Sequence, residues 1–130
     1  MKKLFTQLTL VFALVFGLAG CGNQTTHSKS AANDNQITIT YNLKRQHHEF
    51  ASKKVKVKNG ATVLKGLQKT GWKVKLNKGM VTSIDNNTQN EKQKVYWMYK
   101  INGQEAQNGV AKQKVHRNDK IDFDLQTVNQ

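Results

Sequence analysis

Between residues 36 and 58 two stretches of the chain alternate between apolar and polar positions. Ile37, Ile39, Tyr41 and Leu43 are interleaved with Thr38, Thr40 and Asn42, the period of two that predicts a half-buried strand. Val55 and Val57 alternate with Lys54, Lys56 and Lys58 before Asn59-Gly60 breaks the run, so a second strand is predicted with one apolar face and one face of ammonium groups in water. The period then changes. Thr62 can cap a helix in which Val63, Leu64 and Leu67 share one side, and Gly71 is placed to end it. A helix of about eight or nine residues is too short to stand alone in water, so it must lie on a sheet.

Alternation resumes in Trp72-Lys73-Val74-Lys75-Leu76 and in Gly79-Met80-Val81-Thr82-Ser83-Ile84. Asp85 to Lys94 is polar and predicts a loop. In Val95 to Ile101 the odd positions Val95, Trp97, Tyr99 and Ile101 are apolar, and Tyr96 and Met98 give the other face apolar character too. Such a two-sided strand is expected at the centre of a sheet. Asn102-Gly103 predicts a tight turn. A strand near Val110 to Val115, a turn at Arg117-Asn118-Asp119 and a last strand through Ile121, Phe123 and Leu125 complete the pattern. Strand, strand, helix and then several strands predict an α+β domain, β-grasp-like, in which a mostly antiparallel sheet packs on one short helix.

The first twenty residues stand apart from this pattern. Lys2 and Lys3 precede an uncharged run from Leu4 to Leu18, which ends in Leu18-Ala19-Gly20-Cys21. A basic start, a short apolar run and small residues before a cysteine make an export signal, and the run is shorter than the roughly 20 residues of a membrane span. The Leu-Ala-Gly-Cys ending resembles the bacterial lipobox, which implies a cleaved lipoprotein signal peptide at 1–20 and a lipidated Cys21. Two acyl chains suffice for stable anchoring where one is marginal. Because Gly22 and not aspartate follows, the expected location is the extracytoplasmic face of the cell membrane in a bacterium with a single membrane. Residues 21–35 then form a polar linker without a large apolar side chain, reaching roughly 20 Å, and 36–130 is the folded domain.

Composition narrows the function. The chain of 130 residues has no proline and one cysteine, which excludes an intrachain disulfide and a cysteine-rich metal site. Its formal net charge is +13, and 19 basic residues face 8 acidic ones once Lys2 and Lys3 leave with the signal. Export removes the protein from nucleic acid, and Lys54, Lys56, Lys58, Lys73, Lys75, Lys112 and Lys114 alternate along strands instead of clustering on a recognition helix. The charge suits solvated sheet faces, headgroups or an anionic cell-wall polymer. His47-His48-Glu49 reads as a turn, because adjacent strand residues point to opposite faces and no third metal ligand is suitably spaced. His116 stands beside Arg117, which disfavours a bound cation. Asp122 and Asp124 share one strand face and could bind a cation, although exposure to solvent is expected. No nucleophile triad, phosphate loop or close carboxylate pair is present, so the protein is expected not to be an enzyme. The aromatic strand Tyr96-Trp97-Met98-Tyr99 could instead offer a platform for a flat ligand.

Gly60-Ala61-Thr62-Val63-Leu64, Gly79-Met80-Val81-Thr82-Ser83-Ile84, Tyr96-Trp97-Met98-Tyr99-Lys100-Ile101-Asn102-Gly103, Gly109-Val110-Ala111 and Asn118-Asp119-Lys120-Ile121 occur in this order. In this the chain resembles the transcobalamin-like C-terminal domain family over about residues 37–125. In the vitamin carriers of that family the similar segment is a small β-rich lobe that closes over one face of cobalamin. The resemblance implies ligand contacts from Trp97, Tyr96 and Met80, where Met80 stands at a position that can carry an aromatic. It also implies contacts from Gln107, Asn108 and Val110 around the Gly-Val-Ala turn. No counterpart of the carriers' helical barrel is expected here, hence a half-site. The function this implies is a non-enzymatic, membrane-anchored binding module that requires no cofactor. Its ligand would be a corrinoid or a similar flat cofactor, presented to a membrane transporter. The alternative is a basic module docking a partner protein or an anionic cell-wall polymer.

Overall fold

The computed structural model describes residues 35–129. The leader at 1–20, Cys21 and the linker up to residue 34 lie outside the described residues. The elements in order are β1 (Gln36–Arg45), β2 (His48–Lys58), α1 (Val63–Lys69), β3 (Val74–Asn77), β4 (Met80–Ile84), β5 (Asn87–Thr88), a 3-10 turn (Glu91–Gln93), β6 (Val95–Ile101), β7 (Gln104–Glu105) and β8 (Lys120–Thr127). Five strands form one sheet in the order β2-β1-β8-β6-β7, and β3-β4-β5 form a second. Among the described residues only β1 and β8 pair in parallel; the other pairings are antiparallel. The described residues thus form an α+β domain of mostly antiparallel sheet with one short helix.

Period-two alternation puts Ile37, Ile39, Tyr41 and Leu43 of β1 and Ile121, Phe123 and Leu125 of β8 on the inner face of the large sheet, all buried. α1 lies across that face. Its Gly66 is what lets it come so close, because the backbone there passes directly over Tyr41 and Ile39. The Tyr41 hydroxyl donates to the Val63 carbonyl at 2.7 Å, tying the first turn of the helix to the sheet. Thr62 caps the helix by accepting from the Lys65 amide at 3.2 Å, and Thr70 closes it, with Gly71 at a φ of +88° just beyond. Lys53 reaches the Thr70 carbonyl at 2.8 Å while lying over the Trp72 ring, so a cation sits at the helix C-terminus, where the dipole favours it.

Three expectations need correction. The segment 110–115 is not a strand: the Gly109 carbonyl accepts from both Lys112 and Gln113, which closes a turn. The segment instead wraps the start of α1. Gln113 and Val110 supply carbonyls to the Val63 and Leu64 amides at 2.8 and 2.9 Å, meeting the donors that every helix start leaves free. Val110 and Val115 are both buried, and their odd spacing cannot face one side in a strand. Second, β6 is not central, since β7 covers only Lys100 and Ile101 on its far side; β1 and β8 hold the middle. Third, the polar stretch 85–94 contains β5 and the 3-10 turn as well as loop.

Burial pushes the Tyr41 hydroxyl far above the ordinary tyrosine range, reinforced by the negative charge of Asp119. In the unfolded chain it ionises near pH 10, so its contribution to stability is complete below about 10 and is lost as the pH rises further, at up to about 1.4 kcal/mol per pH unit. Urea unfolding at about pH 9 and about pH 11 should therefore show a larger drop for the wild type than for Tyr41→Phe, which lacks the ionisable group. Equal drops would mean that Tyr41 ionises in the folded protein as readily as in the unfolded chain.

Candidate functional site

β6 meets β8 with Trp97 opposite Leu125 and Tyr99 opposite Phe123. These four point inward. Tyr41, Phe123 and Tyr99 make a row of stacked rings, with centroids 6.4 and 5.2 Å apart. The row ends beside a cavity of about 250 Å³. Trp97, Tyr99 and Phe123 contribute to its lining, Gly79-Met80-Val81 at the tip and start of β4 line it too, and so do Glu105, Ala106, Gly109 and Val110. The β3–β4 tip is a two-residue turn, with Lys78 and Gly79 both at positive φ, and this leaves Met80 67% exposed at the cavity mouth.

Trp97 itself is only 6% exposed, and its indole N–H donates to the Asn87 carbonyl at 2.8 Å. It is a wall of the cavity with its polar edge already satisfied. Tyr99 donates its hydroxyl to the Asn108 carbonyl, holding the 105–110 segment over the strand, and burial raises its pKa above the ordinary tyrosine value. Val110 is buried, and its carbonyl is committed to Leu64.

Of the residues picked from the sequence, Met80, Trp97 and Val110 come together here. Tyr96 does not: it lies on the outer face of β6 opposite Gln126. Gln107 and Asn108 are exposed and do not line the cavity, although the Asn108 carbonyl anchors Tyr99. Cys21 lies outside the described residues. Tyr99, Phe123, Gly79 and Gly109 line the cavity without having been singled out as contacts. Tyr99 was within reach of the pattern, two residues from Trp97 on the same strand face, whereas Phe123 joins only through the cross-strand register.

The outer face is polar. Asp122 accepts from Asn42 at 2.8 Å and from Lys44 at 3.0 Å, and Asp124 accepts from the His47 amide at 3.1 Å and pairs with its ring at 2.8 Å. The expected exposure of these two carboxylates is therefore wrong: each is covered by a partner from the β1–β2 hairpin. Of the expected turn His47-His48-Glu49 only His47 lies in the hairpin's turn, where Gln46 and His47 both have positive φ; His48 and Glu49 instead begin β2, where they pair with Arg45 and Lys44. Among the described residues no three His, Cys, Asp or Glu side chains are grouped to hold a metal ion, and no helix is long and apolar enough to cross a membrane.

The model of a family described as a domain of unknown function (DUF4430) matches residues 49–127, more than half of the chain. The chain belongs to that family. The DUF4430 match begins inside β2 and so includes every cavity-lining residue while leaving out β1. No curated protein matches the sequence. Among solved structures the DUF4430 chain is similar to haptocorrin in complex with Cbi, at 18% identity and a TM-score of 0.56 over 68% of this chain. It spans about a quarter of haptocorrin's length, 25%. It is also similar to a "putative metal binding protein" from Ruminococcus gnavus ATCC 29149, at 12% identity and a TM-score of 0.55, over 72% of this chain and 99% of that one. At these identities the likeness is one of fold.

Proposed function

We propose that this protein is a non-enzymatic ligand-binding module, tethered through a lipidated Cys21 to the extracytoplasmic face of the cell membrane. The observation that carries the proposal is the cleft over Trp97 and Tyr99, apolar in its lining, preformed and open at Met80. Concave, mostly apolar sites of this kind are where small ligands bind. The fold reading that goes with it is a β-grasp of the transcobalamin C-terminal type. It is supported by the parallel β1–β8 pair at the sheet centre, by α1 across one face and by the likeness to haptocorrin.

Size limits the mode of binding. At about 250 Å³ the cleft is smaller than pockets that enclose drug-sized ligands, roughly 300–1,000 Å³. It can grip the edge of a flat ligand such as a corrinoid, as one half of a clamp whose other half is a membrane transporter or another partner. No histidine lines it, so this lobe would hold the periphery of a corrinoid and leave the cobalt to other ligands.

Trp72→Phe leaves Trp97 as the sole tryptophan, and titration of that variant with cobalamin tests the proposal. A saturable change in Trp97 fluorescence that persists at high salt is expected. No change up to millimolar cobalamin removes the corrinoid. A signal that collapses with salt would instead mark docking of an anionic polymer on the exposed lysines of β2, Lys54, Lys56 and Lys58.

A further inference from the structure

Between Phe50 and Ile84 the chain carries nine lysines and no acidic residue. β2, α1 and the β3–β4 hairpin are therefore of one sign, and among the described residues none of these lysines pairs with a carboxylate. The fold draws three of them together. The end of β2, the turn after it and one side of α1 form a groove of about 540 Å³, lined by Lys58, Gly60, Thr62, Lys65 and Lys69 among others. Lys65 and Lys69 stand four residues apart and so share a face of the helix, and all three lysines are exposed. Asp119 lies toward the same end of the sheet, where its carbonyl accepts from Thr40. It is buried, and its carboxylate is occupied by Asn102 and by the His116 amide. Like charges gathered in this way repel, and an external anion relieves the repulsion.

The groove adjoins the point where the chain enters the domain. Gln36, the first residue of β1, pairs with Lys58, and the Asn59 amide donates to the Asn35 carbonyl at 2.8 Å. The linker that joins this point to Cys21 has a reach of roughly 20 Å, so anchoring at Cys21 brings this end of the domain, and no other, next to the headgroups. Resting on the reading of Cys21 as a lipid anchor, we infer that the groove docks on the anionic lipids of the same membrane, with headgroup phosphates beside Lys58, Lys65 and Lys69. A basic patch next to an anchor gains from the negative potential of such a surface. The cleft is carried at the other end. Through Leu125, Trp97 is level with Arg45, at the opposite end of β1 from Gln36 and roughly 30 Å away along the strand. Docking by the groove holds the cleft clear of the headgroups, where a ligand or a partner can reach it.

The test sediments the mature chain from Cys21 on, made without lipid, with vesicles of mixed phosphatidylglycerol and phosphatidylcholine and with vesicles of phosphatidylcholine alone. Binding to the mixed vesicles only, weakened by salt, is expected. Each lysine near such a surface is worth about fivefold, so Lys58→Gln, Lys65→Gln and Lys69→Gln together should weaken it at least about twentyfold. Lys73→Gln, Lys75→Gln and Lys78→Gln remove the same charge around β3 and should cost less than about threefold, because charges beyond a Debye length from the surface are screened. Equal losses in the two triple variants, or equal binding to both kinds of vesicle, overturns the docking groove. Soluble poly(glycerol phosphate) that binds as tightly as the vesicles, and is lost in the first triple variant, gives the groove to a wall polymer and overturns membrane docking. Labelled palmitate taken up by the wild type and not by Cys21→Ser tests the anchor separately. No palmitate on the wild type overturns the anchor and with it the membrane as occupant of the groove; palmitate without a preference for anionic vesicles overturns the groove alone.

Discussion

Gly66→Ala should destabilise the domain by about 2 kcal/mol or more, although alanine in a helix interior ordinarily gains about 1 kcal/mol over glycine. The sign is decided by space. A Cβ at residue 66 would lie 2.2 Å from the Tyr41 hydroxyl oxygen, 2.9 Å from the Ile39 Cδ1 and 3.0 Å from the Tyr41 Cε2. Tyr41 and Ile39 are fully buried, so neither can swing aside, and α1 has to lift. Lifting it stretches the bond from Tyr41 to Val63, itself worth about 1 kcal/mol. For a domain of this size the melting temperature should fall on the order of 10 °C. Thermal unfolding of Gly66→Ala, Tyr41→Phe and the double variant checks the cause. Without the hydroxyl, the closest clash disappears and two looser ones remain, so alanine should cost less in the Tyr41→Phe background. A neutral or stabilising Gly66→Ala would mean that the helix stands further from the sheet than described.

Much of this architecture could be read from the chain because it rests on local chemistry. Strands β1 and β8 and the second half of β2 follow from alternation, α1 from Thr62 and Gly71 at its ends, and the β6–β7 turn from Asn102-Gly103, both of which have positive φ. What could not be read depends on partners distant in sequence. Val110 and Val115 look like strand residues, yet they are buried because their segment caps a helix some fifty residues earlier. Tyr96 and Met98 gave β6 two apolar faces, the pattern of a central strand. Their neighbours across β8 are Gln126 and Asp124, which make that face polar. Asp122 and Asp124 read as solvated for the same reason: nothing near them in sequence announces Asn42, Lys44 or His47.

The cleft divides along the same line. Met80, Trp97 and Val110 carry a chemical signature in their motifs, whereas Phe123 joins only through the fold. The aromatic strand reads as a platform for a flat ligand; the recess lies where the β4 tip and the 105–110 segment leave a gap over Trp97 and Tyr99.

Gly109 offers a way to close that gap without disturbing the core. It lines the cleft, and a Cβ built there meets no atom within 4 Å. Its structural bonds, from the Lys112 and Gln113 amides at 3.0 and 2.9 Å, end on its carbonyl and are indifferent to a side chain. Gly109→Phe should therefore melt close to the wild type while a ring fills the recess beside Met80 and Val110. Calorimetric titration of cobalamin into the wild type and Gly109→Phe is the most direct measurement. Saturable binding by the wild type, weakened more than about tenfold in the variant, is the predicted result. Equal affinity in the two proteins, or no binding by either, would contradict the assignment of this cleft as the place where a corrinoid is held.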